Sequence, residues 1–177
     1  MLDYLITSKT RIKLILKFFL NAETQAYLRS LSEEFGESTN VVRVELNRLT
    51  EAGLLKAKIQ GRLKVYQANE KHTLFPDLHS IVKKYIGIDL LIEEVIWKLG
   101  NVEVALITGD YAKGIDSGII NFVIVGQIDK NYLQELVDKA EELIHRKIRT
   151  LVLNNEEFQK WNHKFIREKA LIVWNER

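Results

Sequence analysis

The sequence predicts an α+β fold in two domains, and three observations support this prediction. Apolar residues recur every three or four positions through most of residues 8–52, as in amphipathic helices. Two short strand-like runs follow at 54–59 and 63–68. Beyond them, apolar runs at 102–107 and 119–125 flank a glycine-rich turn and alternate with helical segments. The expected segments are a first domain over 1–72, connecting or dimerisation helices over 73–99, and a second domain over 100–177.

The composition is that of an ordinary globular chain, with 46% hydrophobic and 28% charged residues. No apolar run reaches the ~18 residues that span a bilayer. Lys13 and Lys17 interrupt the most apolar N-terminal stretch, so we expect neither membrane association nor a secretion signal. The absence of cysteine excludes disulfides and thiolate metal sites, and the histidines lack ligand spacing. A cytoplasmic location is expected.

Three helices are predicted in the first domain, over 8–20, 26–35 and about 39–52. Gly36 ends the second, and Ser38 or Thr39 caps the third. The inward positions are Ile12, Leu16 and Phe19, then Leu28, Leu31 and Phe35, then Val42, Leu46 and Leu49. The two strand-like runs surround Gln60-Gly61-Arg62 and predict a hairpin.

Three helices followed by a basic hairpin resemble the ArsR/MarR-type winged-helix transcriptional regulators. Residues 38–58, STNVVRVELNRLTEAGLLKAK, carry the resemblance, which covers about residues 8–70. It implies double-stranded DNA as a partner, read by the third helix and held by the hairpin. It also implies a homodimer, for which the helices at 8–20 and 75–86 are candidates.

The residue types in these two elements suit DNA. Arginine bonds guanine and asparagine bonds adenine in bidentate fashion, while lysines contact phosphates. The predicted DNA-binding residues are Thr39, Asn40, Arg43, Asn47 and Arg48 in the helix, and Lys56, Lys58, Arg62 and Lys64 in the hairpin. Val41 and Val44 either touch thymine methyls or are buried against the first helix. The alternative for the hairpin is a charged edge that prevents aggregation.

Charge is distributed unevenly along the chain. Residues 1–85 contain 14 Lys/Arg against 9 Asp/Glu, whereas residues 86–177 contain 12 against 15. Nucleic-acid contact is therefore expected in the basic first half.

The second half alternates helices and strands. Helices are predicted over 75–86, 89–99, 130–145 and 156–168, with Pro76 in the first turn of the first of them. A third strand is predicted at 148–153, and 170–174 is a short apolar tail. Trp97, Trp161 and Trp174 are expected to pack this domain.

Residues 108–126, TGDYAKGIDSGIINFVIVG, resemble the minimal nucleotidyltransferase fold, which implies a short mixed sheet. That family has a Gly-Ser turn followed by a strand with two metal-binding carboxylates one residue apart. On its pattern Gly109 keeps the glycine, Asp110 replaces the serine, and Lys113 matches an arginine. The carboxylate positions fall on Ile119 and Asn121, and residues 144–155 contain no acid for a third ligand.

Mg²⁺ requires oxygen ligands, preferably anionic, so these substitutions predict a catalytically inactive domain. We expect no catalytic residue, no metal and no cofactor. The domain is then a module for dimerisation, for sensing a small-molecule or protein effector, or for binding a partner. Asp110, Asp116 and Asp129 fall on loops and share no face that predicts a relocated metal site.

Two alternatives to a regulator with an inactive domain remain. The first is an active nucleotidyltransferase with atypical metal ligands. The second is an antitoxin-like protein-interaction module, whose DNA binding serves only autoregulation.

Overall fold

The computed structural model describes residues 2–176, and its mixed α+β character confirms the predicted fold class at that level. Two compact units divide the chain, the first ending at Tyr85 and the second beginning at Ile86. This boundary falls within the segment 73–99, which was expected to connect the domains. Of the helices between Leu2 and Glu176, none combines the length and apolar character that a bilayer span needs.

The first unit combines helices with a small antiparallel sheet. In chain order its elements are α1 (Leu2–Leu5), α2 (Lys9–Phe19), β1 (Ala26–Tyr27), α3 (Leu28–Phe35), α4 (Thr39–Glu51), β2 (Leu55–Gln60), β3 (Leu63–Ala68) and α5 (Phe75–Ile86). The strand order is β1-β3-β2. Gln60 pairs with Leu63, so Gly61 and Arg62 form a two-residue hairpin loop. Gly61 has a φ of +61°, and a positive φ at this position is typical of type II′ turns.

The helix predicted over 26–35 is wrong at its start. Ala26 and Tyr27 are extended and pair with Tyr66 and Val65 of β3, and the helix begins at Leu28. A strand partner distant in sequence supplies the backbone hydrogen bonds here, and local helix propensity is too weak to override it.

Helix α2 is largely buried in the core of the first unit. Ser8 caps it by accepting a hydrogen bond from the backbone of Arg11. Its apolar side chains from Ile12 to Phe19 are all buried, and Leu14 and Phe18 are fully enclosed. No apolar side chain of Lys9–Phe19 is exposed. The apolar side chains of this candidate dimer helix are therefore buried inside the unit and do not face a second copy.

Ion pairs join α2 to the next two helices and the turn between them. The pairs are Lys17–Glu34 at 2.7 Å, Lys13–Glu37 at 2.7 Å and Arg11–Glu45 at 2.8 Å. Lys17 and Glu45 are buried residues. A buried charge is tolerated only when it is paired, so these contacts restrict how α2 packs against its neighbours.

Glu45 has the most partners of these carboxylates. It accepts hydrogen bonds from Arg11 Nε at 2.8 Å, from Ser8 Oγ at 3.0 Å and from Arg48 Nη1 at 3.1 Å. Burial by itself raises the pKa of Glu45, but the hydrogen bonds from Arg11 and Ser8 and the two arginine charges outweigh it. The pKa therefore lies below its ordinary value, and the folded unit holds Glu45 as an anion.

The hairpin is attached directly to the end of α4. Gly53 leaves the helix in the left-handed conformation with a φ of +72°, and Leu54 N donates to Leu49 O at 3.0 Å. Asn69 closes the base of the hairpin, since its Nδ2 donates to Gly53 O at 2.8 Å and its backbone N donates to Leu54 O at 2.9 Å. These bonds couple the position of the hairpin to that of α4.

The second unit contains a four-stranded mixed sheet. Its elements are α6 (Ile88–Leu91), a π-helical turn (Ile92–Ile96), α7 (Trp97–Leu99), β4 (Val102–Thr108), a 3₁₀ turn (Tyr111–Lys113), β5 (Ile119–Gly126), α8 (Lys130–Ile144), β6 (Lys147–Leu153), α9 (Asn155–Arg167) and β7 (Leu171–Asn175). The strand order is β6-β5-β4-β7. β5 and β6 run parallel, with α8 between them in sequence, and β4 is antiparallel to β5 and β7.

The segment 170–174, interpreted from sequence as an apolar tail, contributes to the edge strand β7. Side chains alternate between the two faces of the sheet. Leu106, Val123 and Leu153 form a cluster with Phe165 of α9 on one face. Ile107, Phe122 and Ile124 have the opposite parity and are also fully buried.

The helix predicted over 89–99 is interrupted by the π-helical turn at Ile92–Ile96. Val95 and Ile96 are buried, whereas Trp97 is 67% exposed. The expectation that Trp97 packs the domain is therefore wrong, and Trp161 is also exposed. Trp174 is half-buried and donates its Nε1 hydrogen to Val102 O at 3.1 Å.

We predict that replacing Glu45 with Gln destabilises the first unit by about 1–3 kcal/mol at pH 7, because the charged hydrogen bonds to Arg11 and Ser8 are weakened. A depressed pKa contributes stability that is present above the ordinary glutamate pKa and is lost as the pH falls through the folded value. The destabilisation should therefore shrink below about pH 4.5. Urea unfolding at several pH values, followed by far-UV circular dichroism, measures both effects.

The matched control is Glu51→Gln, an exposed glutamate on the same helix. The tryptophans all follow Ile86, so their fluorescence follows the second unit and should be unchanged in both variants. Equal loss of stability from the two substitutions would contradict the role of the Glu45 contacts.

Candidate nucleic-acid interface and the glycine-rich turn

Helix α4 has one buried face and one exposed polar face. Val42, Leu46 and Leu49 are buried as predicted, and Glu45 is buried with them. The predicted base-reading residues Thr39, Asn40, Arg43, Asn47 and Arg48 are all exposed. Ser38 caps the helix, since its side chain accepts a hydrogen bond from Val41 N at 3.4 Å. The exposed face is thus carried by a capped helix whose other side lies in the core.

Arg48 differs from Arg43 in its contacts. Its guanidinium lies 3.1 Å from Glu45 Oε1, so part of its charge is neutralised within the protein. Among the side chains that the structure describes, which do not include that of Asp3, Arg43 has no ion pair within 4 Å. Of the two arginines, Arg43 is the one whose full charge faces solvent.

The β2–β3 hairpin (residues 55–68) carries the other predicted DNA-binding residues. Lys56, Lys58, Arg62 and Lys64 are all exposed, and no acid occurs between residues 54 and 64. Lys56 and Lys58 lie two residues apart on one face of β2. Lys64 lies on the other face, with its Nζ 5.3 Å from the centre of the Tyr66 ring. The hairpin is therefore positive on both faces and at its tip.

Apolar side chains are also exposed on these two elements. Val41 and Val44 of α4 are 47% and 42% exposed, so burial against the first helix is wrong. At the hairpin tip Ile59 is 81% exposed and Leu63 is 53% exposed. The sequence predicted the inward position of Val42 correctly but left the positions of Val41 and Val44 open.

In the second unit the glycine-rich turn brings Gly109 and Asn121 together. Thr108 pairs with Asn121 across β4 and β5. A Cβ atom added at Gly109 would lie 2.6 Å from Asn121 Nδ2, and Gly109 has a φ of +70°. Glycine is therefore required at this position by close approach as well as by backbone conformation. Asp110 and Lys113 are exposed.

The two positions where a nucleotidyltransferase has carboxylates do not fit a cation. Ile119 supplies no ligand, and Asn121 supplies at most one neutral oxygen. The parallel partner of Ile119 on β6 is Lys147, and the partner of Asn121 is Arg149. Lys147 is paired with Glu141 at 2.5 Å, so Arg149 is the neighbouring positive charge that disfavours a divalent cation here. We therefore derive no chemistry through Mg²⁺ at this position.

The loop acids considered as a relocated metal site have separate roles. Asp129 caps α8 by accepting hydrogen bonds from Asn131 N at 2.8 Å and Tyr132 N at 3.2 Å. Asp116 pairs with Arg146 Nη2 at 2.7 Å. Among the residues that the structure describes, no three histidine, aspartate or glutamate side chains form a group that could hold a metal ion.

Asp116 belongs to a hydrogen-bonded network that ties the glycine-rich turn to the start of β6. The fully buried Tyr111 donates its hydroxyl hydrogen to Asp116 and accepts from Gly118 N at 3.2 Å and Arg146 Nε at 2.9 Å. Burial and the hydrogen bond to Asp116 raise the pKa of Tyr111. Burial raises the pKa of Asp116, whereas the contacts with Arg146 and Tyr111 lower it. The contacts outweigh burial, so the pKa of Asp116 lies below its ordinary value.

Sequence reasoning missed this network. Arg146 is 30 residues from Asp116, and α8 lies between them, so no local spacing relates them. The network holds the turn as a structural element.

A cavity of about 250 Å³ lies beside the exposed part of the sheet in the second unit. Thr108, Asn121 and Arg149 line it from the sheet, and Trp161 and Lys164 line it from α9. The ammonium group of Lys164 lies 4.9 Å from the centre of the Trp161 ring. Glu168 lines the cavity as well, so Asn121 shares the lining with two cationic side chains and one carboxylate.

Comparison with known protein families, with curated proteins and with solved structures finds no significant match. What the chain does must therefore be inferred from its own side chains and their geometry.

We predict that Tyr111→Phe lowers the stability of the second unit by about 1–3 kcal/mol, because the buried Gly118 N–H loses its acceptor and Asp116 loses a donor. Urea unfolding followed by tryptophan fluorescence reports this unit selectively. Tyr132→Phe, at an exposed position on α8, is the matched control and should change stability by less than about 0.5 kcal/mol. An unaltered midpoint for Tyr111→Phe would show that the hydroxyl network does not hold the turn.

Proposed function

We propose that this chain is a sequence-specific DNA-binding transcriptional regulator of the winged-helix type. The observation that supports this most is the exposed polar face of α4, joined through Gly53 to a hairpin with four cations and no acid between residues 54 and 64. Either element alone is compatible with a solvated surface. A polar helix face and a basic hairpin held together by main-chain hydrogen bonds favour a nucleic-acid interface.

In this proposal α4 enters the major groove. Asn40, Arg43 and Asn47 reach base edges, where asparagine recognises adenine and arginine recognises guanine. The hairpin cations contact phosphates and fix the register of the helix on the duplex. The ion pair of Arg48 with Glu45 makes Arg48 a weaker contributor than Arg43.

Regulators of this type commonly bind two half-sites as symmetric dimers, and we propose the same here. The apolar side chains of α2 are buried, so α5 is the better candidate for the dimer contact. Ile81 of α5 is 41% exposed, and Leu74, which precedes the helix, is 52% exposed. A cytoplasmic location is part of this proposal.

For the second unit we propose a nucleotidyltransferase-like domain without catalytic activity, used for dimerisation, effector sensing or partner binding. The loss of carboxylates at Ile119 and Asn121 supports inactivity, and so does the cationic neighbour Arg149. The cavity beside Asn121 supports sensing over the other two roles. Arg149 and Lys164 outnumber the single carboxylate of its lining, Glu168, so the lining favours an anionic small molecule.

Replacing Lys56, Lys58, Arg62 and Lys64 together with alanine should weaken binding to double-stranded DNA. Each lost phosphate contact reduces the slope of log K against log salt by ~0.9, so the slope should fall by up to about 3.6. Fluorescence anisotropy of a labelled duplex over a series of salt concentrations measures both quantities.

A second variant, with Lys130, Lys139, Lys160 and Arg167 changed to alanine, serves as the control. It removes the same charge from exposed positions in the second unit. Equal effects of the two variants would mean that net charge governs binding and that the hairpin has no specific role.

We further expect that titration of the protein with ATP, GTP, CTP or UTP in the presence of Mg²⁺ gives no metal-dependent binding heat. Asp110 repels phosphate, and Arg149 disfavours the cation. Isothermal titration calorimetry with and without Mg²⁺ makes the comparison. Metal-dependent binding at millimolar affinity or better would favour the active nucleotidyltransferase over the inactive domain.

A further inference from the structure

The exposed side chains of α4 are arranged in a stripe along the helix, which the composition of the helix alone does not show. At 100° per residue, Asn40, Val44 and Asn47 follow the spacing i, i+4, i+7 and form one stripe along the middle of the exposed arc. Arg43 lies on one side of this stripe and Arg48 on the other. All five side chains are exposed. The part of the helix that points most directly away from the core therefore presents two amides with a branched apolar side chain between them.

We infer that this stripe reads A·T base pairs in the major groove, with Asn40 and Asn47 bonding adenine edges and Val44 contacting thymine methyl groups. The inference rests on the proposed DNA-binding function and names the class of sequence that it recognises. Asparagine pairs with N6 and N7 of adenine, and an apolar side chain complements the C5 methyl of thymine. A G·C pair offers neither this amide pattern nor a methyl group.

The neighbouring cations agree with this preference. Arginine is the side chain that recognises guanine most often, but the guanidinium of Arg48 is held 3.1 Å from Glu45 within the protein. Arg43 lies at the side of the stripe and not within it, so the base pairs that face the middle of the exposed arc meet Asn40, Val44 and Asn47. The hairpin cations also suit A·T-rich DNA, since the narrow minor groove of A-tracts has an enhanced negative potential.

Val44 itself requires an explanation that packing does not supply. A single exposed valine is unremarkable in a protein surface. Val44, however, is 42% exposed and lies between two amides on the outermost stripe of a helix that is joined to a cationic hairpin. Contact with a thymine methyl would remove its apolar surface from water and add specificity at the same step.

The test begins with the intact chain and a pool of duplexes carrying a randomised 20-base-pair segment. Rounds of binding and amplification should recover A·T-rich sites. The recovered duplex is then compared with the same duplex carrying deoxyuridine in place of thymidine, which removes only the C5 methyl groups. Uracil substitution should weaken binding by about fourfold for each contacted methyl, the value expected for one buried methyl-sized group.

The variant Val44→Ser should bind the thymine duplex more weakly by a similar factor and should no longer distinguish thymine from uracil. Leu143→Ser is the matched control, because Leu143 is similarly exposed on a helix of the second unit. It should retain the full thymine–uracil difference. The wild-type comparison needs no substitution, so the inference stays testable even if a variant folds poorly.

The outcomes separate the inference from the proposal on which it rests. Recovery of G·C-rich sites, or binding that ignores uracil substitution, overturns A·T readout and leaves DNA binding in place. A thymine–uracil difference that persists in Val44→Ser overturns the role of Val44. Absence of binding to any duplex overturns both the inference and the proposed function.

Discussion

The buried carboxylate of Glu45 is the contact on which the first unit depends. It lies on the inward side of α4 and is bonded to the first turn of α2 through Ser8 and Arg11. An anion removed from water is costly unless its partners are in place, so the unit is stable only when the two helices meet at this point. That requirement sets which face of α4 is exposed. Because Glu45, Val42, Leu46 and Leu49 face the core, the proposed DNA-reading residues on the opposite side of α4 are exposed.

The same contact limits the role of Arg48. A side chain that neutralises Glu45 cannot give its full charge to a phosphate or a guanine. The exposed face of α4, which we propose reads DNA, is therefore more neutral and richer in amides than the sequence of α4 indicates. A structural requirement of the core thus alters the chemistry of the surface on the same helix.

In the second unit, cationic side chains lie beside the positions at which the resemblance to nucleotidyltransferases implies metal-binding carboxylates. The register of β5 on β6 puts Lys147 and Arg149 beside the two positions where carboxylates would hold a metal. Tyr111, Asp116 and Arg146 then stabilise the turn by contacts among themselves. The turn keeps the glycine at 109 because Asn121 approaches it closely, a packing reason that holds without any nucleotide.

Local patterns predicted most of the elements. The helix cap at Ser38, the turn at Gly61 and the buried faces of α2 and α4 follow from side-chain chemistry within a few residues. The α+β class follows from the same patterns. Two features that the patterns missed involve partners far along the chain: Ala26 and Tyr27 pair with β3, and 171–175 completes the sheet. The exposure of Trp97 was missed as well.

The properties of the candidate site also fall into two groups, those that follow from single residues and those that depend on contacts distant in sequence. The sequence by itself determined which residues of α4 and the hairpin are polar or cationic, and it determined that Ile119 and Asn121 lack carboxylates, because these are properties of single residues. Only the tertiary structure decided that Val44 is exposed, that Arg48 is paired with Glu45, and that cations flank Ile119 and Asn121. Those facts depend on helix rotation and strand register, which are set by contacts between residues that the sequence keeps far apart.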